Sequence, residues 1–447
     1  MSANEAFAPL SSQQELWCMN EAAFGPGFVV AMALRVTGQV DVAALHGALD
    51  DVVERHEVLR TTLVRDTRPP HQRIHPPLPV PLVVRDLPAS DRRSRDEAAA
   101  DLLAEVKRSS LPVEELPLLR AYLSRFDHQD SVLGLVVHHI ASDGWSCDLI
   151  MRDLATRYAA RTGAATPELP PAHQYADYAR WQRDNLTGPA AAANLAYWRE
   201  HLTGAEIFSL PTDRPARQVR ETPYLACRTL IDANLAANVA RLAKTMRTSR
   251  FVVLLAALNV LAHRIRSTFD PVINTIVHGR GNPRFRATVG PFLNFLALRT
   301  DLTDCVTFRD VLLHTRDTCQ WAYKHEAPIE RVKQEIPTLM ASVAHPHNCD
   351  FIFGYQEPPI SRGTADEKNP FQIAERSTVV RQRGRTSEEM PGGAAWNLTL
   401  VPSGEISGAV RFNPEEFDES TVAGWVSDYC RIVAEAVADP DREWKAL

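Results

Sequence analysis

The chain has 447 residues, 45% of them hydrophobic and 23% charged, enough to bury a large core and to form more than one domain. Lys and Arg number 49 and Asp and Glu 55, and the resulting net charge of −6 argues against nucleic acid as the main partner. No apolar run is long enough for a bilayer, Met1-Ser2-Ala3-Asn4-Glu5 lacks the features of a signal peptide, and the seven cysteines are scattered singly, which speaks against a disulfide framework or a zinc site and for a reducing cytoplasm.

Pro9-Leu10-Ser11-Ser12-Gln13-Gln14-Glu15-Leu16-Trp17 opens as a capped helix, with Ser11 or Ser12 at the N-cap. Phe28 to Thr37 is a predicted strand ended by Gly38. Asp41 can cap the next helix, whose apolar stripe is Val42, Leu45, Leu49, Val52 and Val53. That helix runs into Arg55-His56-Glu57-Val58-Leu59-Arg60-Thr61-Thr62-Leu63, where ion pairs of the arginines and Glu57 are expected to brace the fold. Pro69-Pro70 to Pro81 is extended and proline-rich, suited to an edge or a loop. Asp91 to Lys107 is a charged helix, and Leu118 to Phe126 a further strand.

Ser131-Val132-Leu133-Gly134-Leu135 reads as a buried strand and leads into Val136-Val137-His138-His139-Ile140-Ala141-Ser142-Asp143-Gly144-Trp145. From Cys147 to about Arg161 the spacing is helical. Two adjacent histidines thus stand where a rigid strand gives way to a loop, a place from which side chains reach into clefts. Histidine can take or give a proton near neutral pH. Successive strand residues point to opposite faces, so one ring of the pair can face a cleft while the other packs inside. Asp143 either orients a ring or pairs with a distant arginine and braces the loop.

Arg161-Thr162-Gly163 to Pro171 is a joint containing Gly and Pro. Tyr175, Tyr178 and Gln182 follow helical spacing, with Trp181 beside them. Asn234 to Met246 and Phe251 to Ile265 are two helices, the second apolar enough to be buried, and Val272 to Val277 is a strand. It ends in the glycine-broken loop His278-Gly279-Arg280-Gly281-Asn282-Pro283. Val289-Gly290-Pro291-Phe292-Leu293-Asn294-Phe295-Leu296 sets a turn before another buried strand, in which Asn294 needs a hydrogen-bond partner or a channel to face. Alternation of strands and helices predicts mixed α/β layers.

In order, from Pro9 to Phe417, these segments resemble the motifs of the condensation domains of nonribosomal peptide synthetases. His138-His139-Ile140-Ala141-Ser142-Asp143-Gly144 resembles their active-site motif. A shorter His-x-x-x-Asp signature is shared by a wider superfamily that includes chloramphenicol acetyltransferase and the carnitine acyltransferases. Ser11 to Trp17 resembles the first motif, one residue shorter, and Arg55 to Leu63 the second. Tyr175 to Gln182 and Val289 to Leu296 are further matches. Tyr323 to Glu330 resembles the sixth with Ile329 in place of an aromatic, and Trp396 to Leu400 the seventh with Asn397 where aspartate is usual. Arg280 matches the family arginine that pairs with the motif aspartate, here Asp143; otherwise it is a solvated loop charge.

The resemblance implies an α/β (mixed α+β) fold of two chloramphenicol acetyltransferase-like lobes forming a V-shaped pseudo-dimer with a central channel. The expected lobes are 1–170 and 171–447, with a floor loop near 276–290 and a crossover near 361–395. The implied activity joins an acyl or aminoacyl thioester to an amine or hydroxyl acceptor. A donor carrier protein supplies the phosphopantetheine arm, so no cofactor or metal is expected to be bound. The acceptor rides on a second carrier or is a soluble small molecule. A free-standing cytoplasmic monomer is expected, with neither nucleic acid nor membrane as a partner. His139 accepts the nucleophile's proton or orients it, and a backbone N–H near Gly144 faces the tetrahedral oxyanion. His138 and Asp143 shape the loop, Arg280 fixes it, Arg60 is structural support for the fold, and Trp145, Ser146 and Asn294 line the channel. Three rival readings carry different signatures. An epimerisation domain calls for Glu where Ile276 stands. A non-catalytic recruitment domain usually has a degraded histidine motif. A coenzyme A-dependent small-molecule acyltransferase does not explain the other motifs.

Overall fold

Apolar stripes and caps fix the elements, and the pairing of the strands sorts them into two units. The computed structural model describes residues 6–24, 28–87, 92–166, 168–215, 224–357, 376–379 and 393–447. Unit 1 comprises Met1–Thr187, His278–Leu293 and Gly363–Gly384; unit 2 comprises Gly188–Val277, Asn294–Arg362 and Arg385–Leu447.

Unit 1 contains, in chain order, β1 (Ala6–Pro9), α1 (Ser12–Phe24), β2 (Val29–Thr37), α2 (Val42–Arg55), β3 (Thr61–Val64), β4 (His71–Ile74), β5 (Leu82–Asp86), α3 (Arg92–Lys107), β6 (Leu119–Asp127), β7 (Asp130–His138), α4 (Gly144–Arg161), α5 (Tyr175–Asn185) and, much later in the chain, β13 (Arg376–Val379). Asp41 caps α2 by accepting from Ala44 N–H at 2.9 Å, and Leu45, Ala48, Leu49, Val52 and Val53 form its buried stripe. A five-stranded sheet runs β13-β2-β7-β6-β5. Its middle strand, β7, is buried from Ser131 to His138, which is why it reads as a continuous apolar run. Helix α3 lies close against it: a Cβ on Gly134 would stand 3.1 Å from Val106 Cγ2.

The proline-rich stretch is loop from residue 75 to residue 81, as expected, and differs from expectation only at residues 71–74. It contains β4, the middle strand of a three-stranded sheet β1-β4-β3 and neither an edge nor a loop. Prolines flank residues 71–74 but none lies within them, so every N–H needed for the ladder is present.

Unit 1 also extends past the joint expected to end it. Helix α5 closes on the start of α1: Gln182 Oε1 accepts from Ser12 N–H at 2.8 Å, and the Tyr175 and Ser11 hydroxyls lie 2.7 Å apart. The division therefore falls between Thr187 and Gly188, and the loop after Val277, expected with the second lobe, clusters with unit 1. Of the crossover expected near 361–395, only 376–379 and 393–395 are described; the rest lies outside the described residues. Within it β13 pairs with β2.

Unit 2 contains α6 (Pro189–Leu202), β8 (Ser209–Pro211), β9 (Leu225–Ile231), α7 (Ala233–Thr245), α8 (Arg250–Arg266), β10 (Val272–Val277), β11 (Asn294–Arg299), α9 (Phe308–Lys324), α10 (Ile329–Glu335), β12 (Asn348–Gln356), β14 (Ala394–Leu400), β15 (Ile406–Phe412) and α11 (Glu419–Ala438). Its sheet runs β11-β10-β12-β14-β15-β9, with β8 beside β12. Residues Val252 to Ala262 of α8 are all buried, as an all-round apolar helix requires. Among the described residues no single helix is long and apolar enough to cross a membrane.

Candidate active site

The end of β7 is held on both edges. His138 N–H donates to Leu118 O at 3.1 Å, and His139 N–H donates to Phe28 O at 3.0 Å. The two rings then part. His138 is 1% exposed and meets the Trp17 ring edge-on at 5.7 Å. Its Nδ1 accepts from Ile140 N–H at 3.0 Å, which assigns the proton of the neutral ring to Nε2. Burial, with His139 beside it, lowers its pKa to about 4. His139 stacks on Phe28 at 4.5 Å and 11° and keeps part of its surface exposed. Burial lowers its pKa as well, against the opposing pull of backbone groups at His139 and Ser142 and of the Asp143 charge. Both imidazoles are therefore neutral near pH 7, the state in which a ring nitrogen can accept a proton.

Asp143 does not spend its carboxylate on either ring. As the N-cap of α4 it accepts from Ser146 N–H at 2.7 Å through Oδ1. The same oxygen takes Arg280 Nη2 at 3.1 Å, and Oδ2 takes Phe292 N–H at 3.0 Å. Arg280, itself 1% exposed, donates through Nη1 to Phe285 O at 3.1 Å and Thr288 O at 2.6 Å. Its guanidinium lies 3.9 Å from the Phe292 ring centroid. The brace ties the histidine loop to the segment after Val277. Tyr175 holds that segment from behind, donating to Pro291 O at 2.7 Å. A Cβ on Gly290 would fall 2.0 Å from Tyr175 Cδ2, so only glycine fits there.

Two residues expected in the channel are elsewhere. Ser146 is wholly buried in the brace, where Oγ donates to Gly290 O at 2.7 Å and accepts from Gly290 N–H at 3.0 Å and Arg280 Nη2 at 2.8 Å. Its place in the first turn of α4 turns the hydroxyl toward the loop that Asp143 grips. Asn294 belongs to unit 2 and takes the hydrogen-bond alternative: Nδ2 donates to Ala327 O at 3.0 Å and Glu326 Oε1 at 3.1 Å, and Oδ1 accepts from Ile329 N–H at 3.3 Å. Trp145 is half-buried and donates to Arg286 O at 3.0 Å. Gly144 is exposed at the start of α4, where a Cβ would meet nothing within 4 Å. Its N–H is one of the first-turn donors that a helix leaves without an internal partner. Arg60 donates to Val53 O at 3.3 Å, Glu54 O at 3.4 Å and His75 O, and its Nη2 stands 3.9 Å from Glu57 Oε1.

Other groups carry no sequence signal. Asp153, fully buried on α4, receives Arg55 Nε at 2.8 Å and lies 2.9 Å from His56 Nε2. Its carboxyl, which burial alone would raise, is held down to about 2 by His56 and Arg152. Asp148, one turn beyond Gly144 on α4, is pushed up to about 6 by burial and by the Asp143 charge. Phe292 is legible as part of a turn, but its N–H and ring enter the brace through tertiary packing alone.

The model of the family described as condensation domain matches residues 4–447. A linear gramicidin synthase of Brevibacillus parabrevis is 32% identical over 98% of the chain, which spans 6% of that relative's length. The SgcC5 protein of Streptomyces globisporus, solved with (R)-(-)-1-(2-naphthyl)-1,2-ethanediol and sucrose, is 39% identical, with a TM-score of 0.87 over 97% of this chain and 100% of that one. The X-domain from teicoplanin biosynthesis, solved in complex with OxyB, is 27% identical, with a TM-score of 0.79 over 100% of this chain and 97% of that one.

Proposed function

The chain belongs to the condensation domain family of nonribosomal peptide synthesis, and from that premise we propose that it transfers a carrier-bound acyl or aminoacyl thioester to an amine or hydroxyl acceptor, forming an amide or an ester. The observation that carries the proposal is the division of labour in the loop. Asp143 is consumed by Arg280, Phe292 N–H and Ser146 N–H, while His139 stays neutral and partly exposed. A rigid loop thereby presents one neutral, partly exposed imidazole.

Thioester aminolysis is downhill, and its barrier lies in orientation and proton removal. Positioning both reactants in line can supply several kcal/mol. In this reading His139 takes the proton of the attacking N–H or O–H or orients it, and the first N–H groups of α4 at Gly144 face the developing oxyanion. The phosphopantetheine arm comes with the donor carrier protein. A vicinal diol in the SgcC5 structure supports a hydroxyl acceptor for this chain as well.

The reading is tested by His139→Ala. The variant is expected to fold with an unchanged unfolding midpoint and to lose about a hundredfold or more in turnover, the usual worth of general acid–base catalysis. Likeness to the X-domain favours a second reading, a non-catalytic recruiting domain. Under it, wild type and His139→Ala are equally inert in acyl transfer and equally able to hold a partner enzyme.

A further inference from the structure

Three carboxylates stand five residues apart at the head of α4: Asp143, Asp148 and Asp153. Two of them are fully engaged. Asp143 takes Arg280, Phe292 N–H and Ser146 N–H. Asp153 takes Arg55 and His56, together with Arg152, whose Nε and Nη2 reach Oδ1 at 3.0 and 2.8 Å. Asp148 is treated differently. Among the described residues it has no hydrogen bond and no ion pair, and the charge acting on it is that of Asp143, a second anion. Arg152 lies one turn further along the same helix, a spacing at which an acid and a base pair readily, yet its guanidinium is turned to Asp153. A half-buried carboxylate beside another carboxylate is costly, and here the cation within reach is engaged elsewhere.

The position of Asp148 on the helix points to a ligand. In this part of α4 the residues that turn inward are Ser146, Cys147, Leu149, Ile150 and Met151, all buried. Asp148 stands off that face. It lies four residues after Gly144, and therefore on the same side of the helix. Gly144 is exposed, and a Cβ there would meet nothing within 4 Å, so the space beside this stripe is open. Gly144 in turn ends the loop that carries His139, and all three residues belong to unit 1. An unpartnered anion thus stands one turn from the end of the histidine loop, on the side of the helix that is open there.

We infer that Asp148 holds a primary ammonium group of a substrate during acyl transfer; the inference rests on the acyl-transfer reading above. A carboxylate accepts from a neutral N–H or O–H as well, but only a cation also offsets the repulsion from Asp143. The ammonium is not the attacking group, because an attacking nitrogen must carry a free electron pair. It belongs either to the α-amino group of an aminoacyl donor or to a second amino group on the acceptor. Asp148 is on this account a specificity residue and takes no part in bond making.

Calorimetry on the intact chain at pH 7 compares two matched pairs of probes. Phenylalanyl-N-acetylethylenediamine and its 3-phenylpropionyl counterpart mimic an acyl donor as stable amides and differ only in the ammonium. The pair 2-amino-1-phenylethanol and 1-phenylethanol does the same for an acceptor. In one pair, wild type is expected to bind the ammonium probe about tenfold more tightly, the worth of a hydrogen bond to a charged group. The pair that shows it names the substrate that carries the cation. In Asp148→Asn, which keeps the shape of the side chain and removes the charge, the two members of that pair should bind alike. A second readout needs no variant. Burial and Asp143 push the Asp148 carboxyl up to about 6, so the wild-type preference should fade between pH 7 and pH 5 while the probe keeps its charge. A merely structural carboxylate would move neither readout. Absence of a preference in both pairs, a preference that survives Asp148→Asn, or one that persists unchanged at pH 5 overturns the inference. A fully active His139→Ala removes the acyl-transfer reading and leaves these binding results standing, which tells the two failures apart.

Discussion

At the scale of single residues, the brace around Asp143 makes a stability prediction. Asp143 and Arg280 are 2% and 1% exposed, and each satisfies the other. Removing one leaves the other charged and unpaired, so Asp143→Ala and Arg280→Ala should each cost roughly 3–5 kcal/mol in urea unfolding. The double variant should cost less than the sum. A normal midpoint with lost activity in Asp143→Ala would instead give the carboxylate a direct chemical role. The histidines make a second prediction. His138 falls from 6.5 to about 4 on folding, so the unfolded chain binds more protons between those values. Its contribution is fully present above pH 6.5 and is lost as the pH falls toward 4. Asp148, raised to about 6, acts in the opposite sense: it stabilises the native state as the pH drops below 6. The two partly cancel in wild type, so the variants are informative. Between pH 7 and 5, His138→Gln should lose about 2 kcal/mol less stability than wild type, and Asp148→Asn should lose more. Denaturant midpoints at the two pH values measure both.

At the scale of elements, the segment from His278 to Leu293 holds the histidine loop in place. Gly279 turns it with φ +60, where a Cβ would collide with Phe292 O at 1.9 Å. Gly279→Ala should therefore destabilise by at least about 1–2 kcal/mol, read from thermal unfolding, with a change in the near-ultraviolet signal of Trp145, whose indole is anchored on Arg286 O. Much of this is legible in the sequence. The cap and stripe of α2 and the helical, apolar stretches of α7 and α8 place these elements within a residue or two at either end, because local chemistry determines them. The Asp143–Arg280 pair follows from motif resemblance. What escapes depends on long-range closure. Ser146 and Asn294 are polar residues near motif positions, and only the fold shows that their partners are Gly290 and Ala327, far away in the chain or on another element. Asp153 sits on an ordinary helix, and nothing in its spacing marks it as the partner of Arg55 and His56. Strand β4 is missed when proline density is counted over the whole stretch, because only the ladder positions matter.

At the scale of the whole molecule, the proposed carrier-bound donor makes a prediction about turnover. Contacts remote from the thioester can be spent on placing it beside His139, which raises the rate of the chemical step and not only affinity. The same acyl group offered on a carrier protein and on coenzyme A should therefore differ in turnover even at saturation, with the carrier faster; equal turnover would move the chain toward the small-molecule acetyltransferases. Unit 1 is assembled from distant parts of the chain. Its parts are three separated stretches, and Asp143 and Arg280 are 137 residues apart. A ribosome making this chain has finished every residue of the histidine motif long before the arginine that steadies it emerges. Until residue 280 and the turn behind it are out, the nascent loop carries a carboxylate without its partner. Closure so distant in sequence is slow and leaves apolar strands waiting. Competence of the loop is thus a late event in synthesis, and a chain interrupted after Thr187 would hold both histidines in a loop that still lacks Arg280 and Phe292.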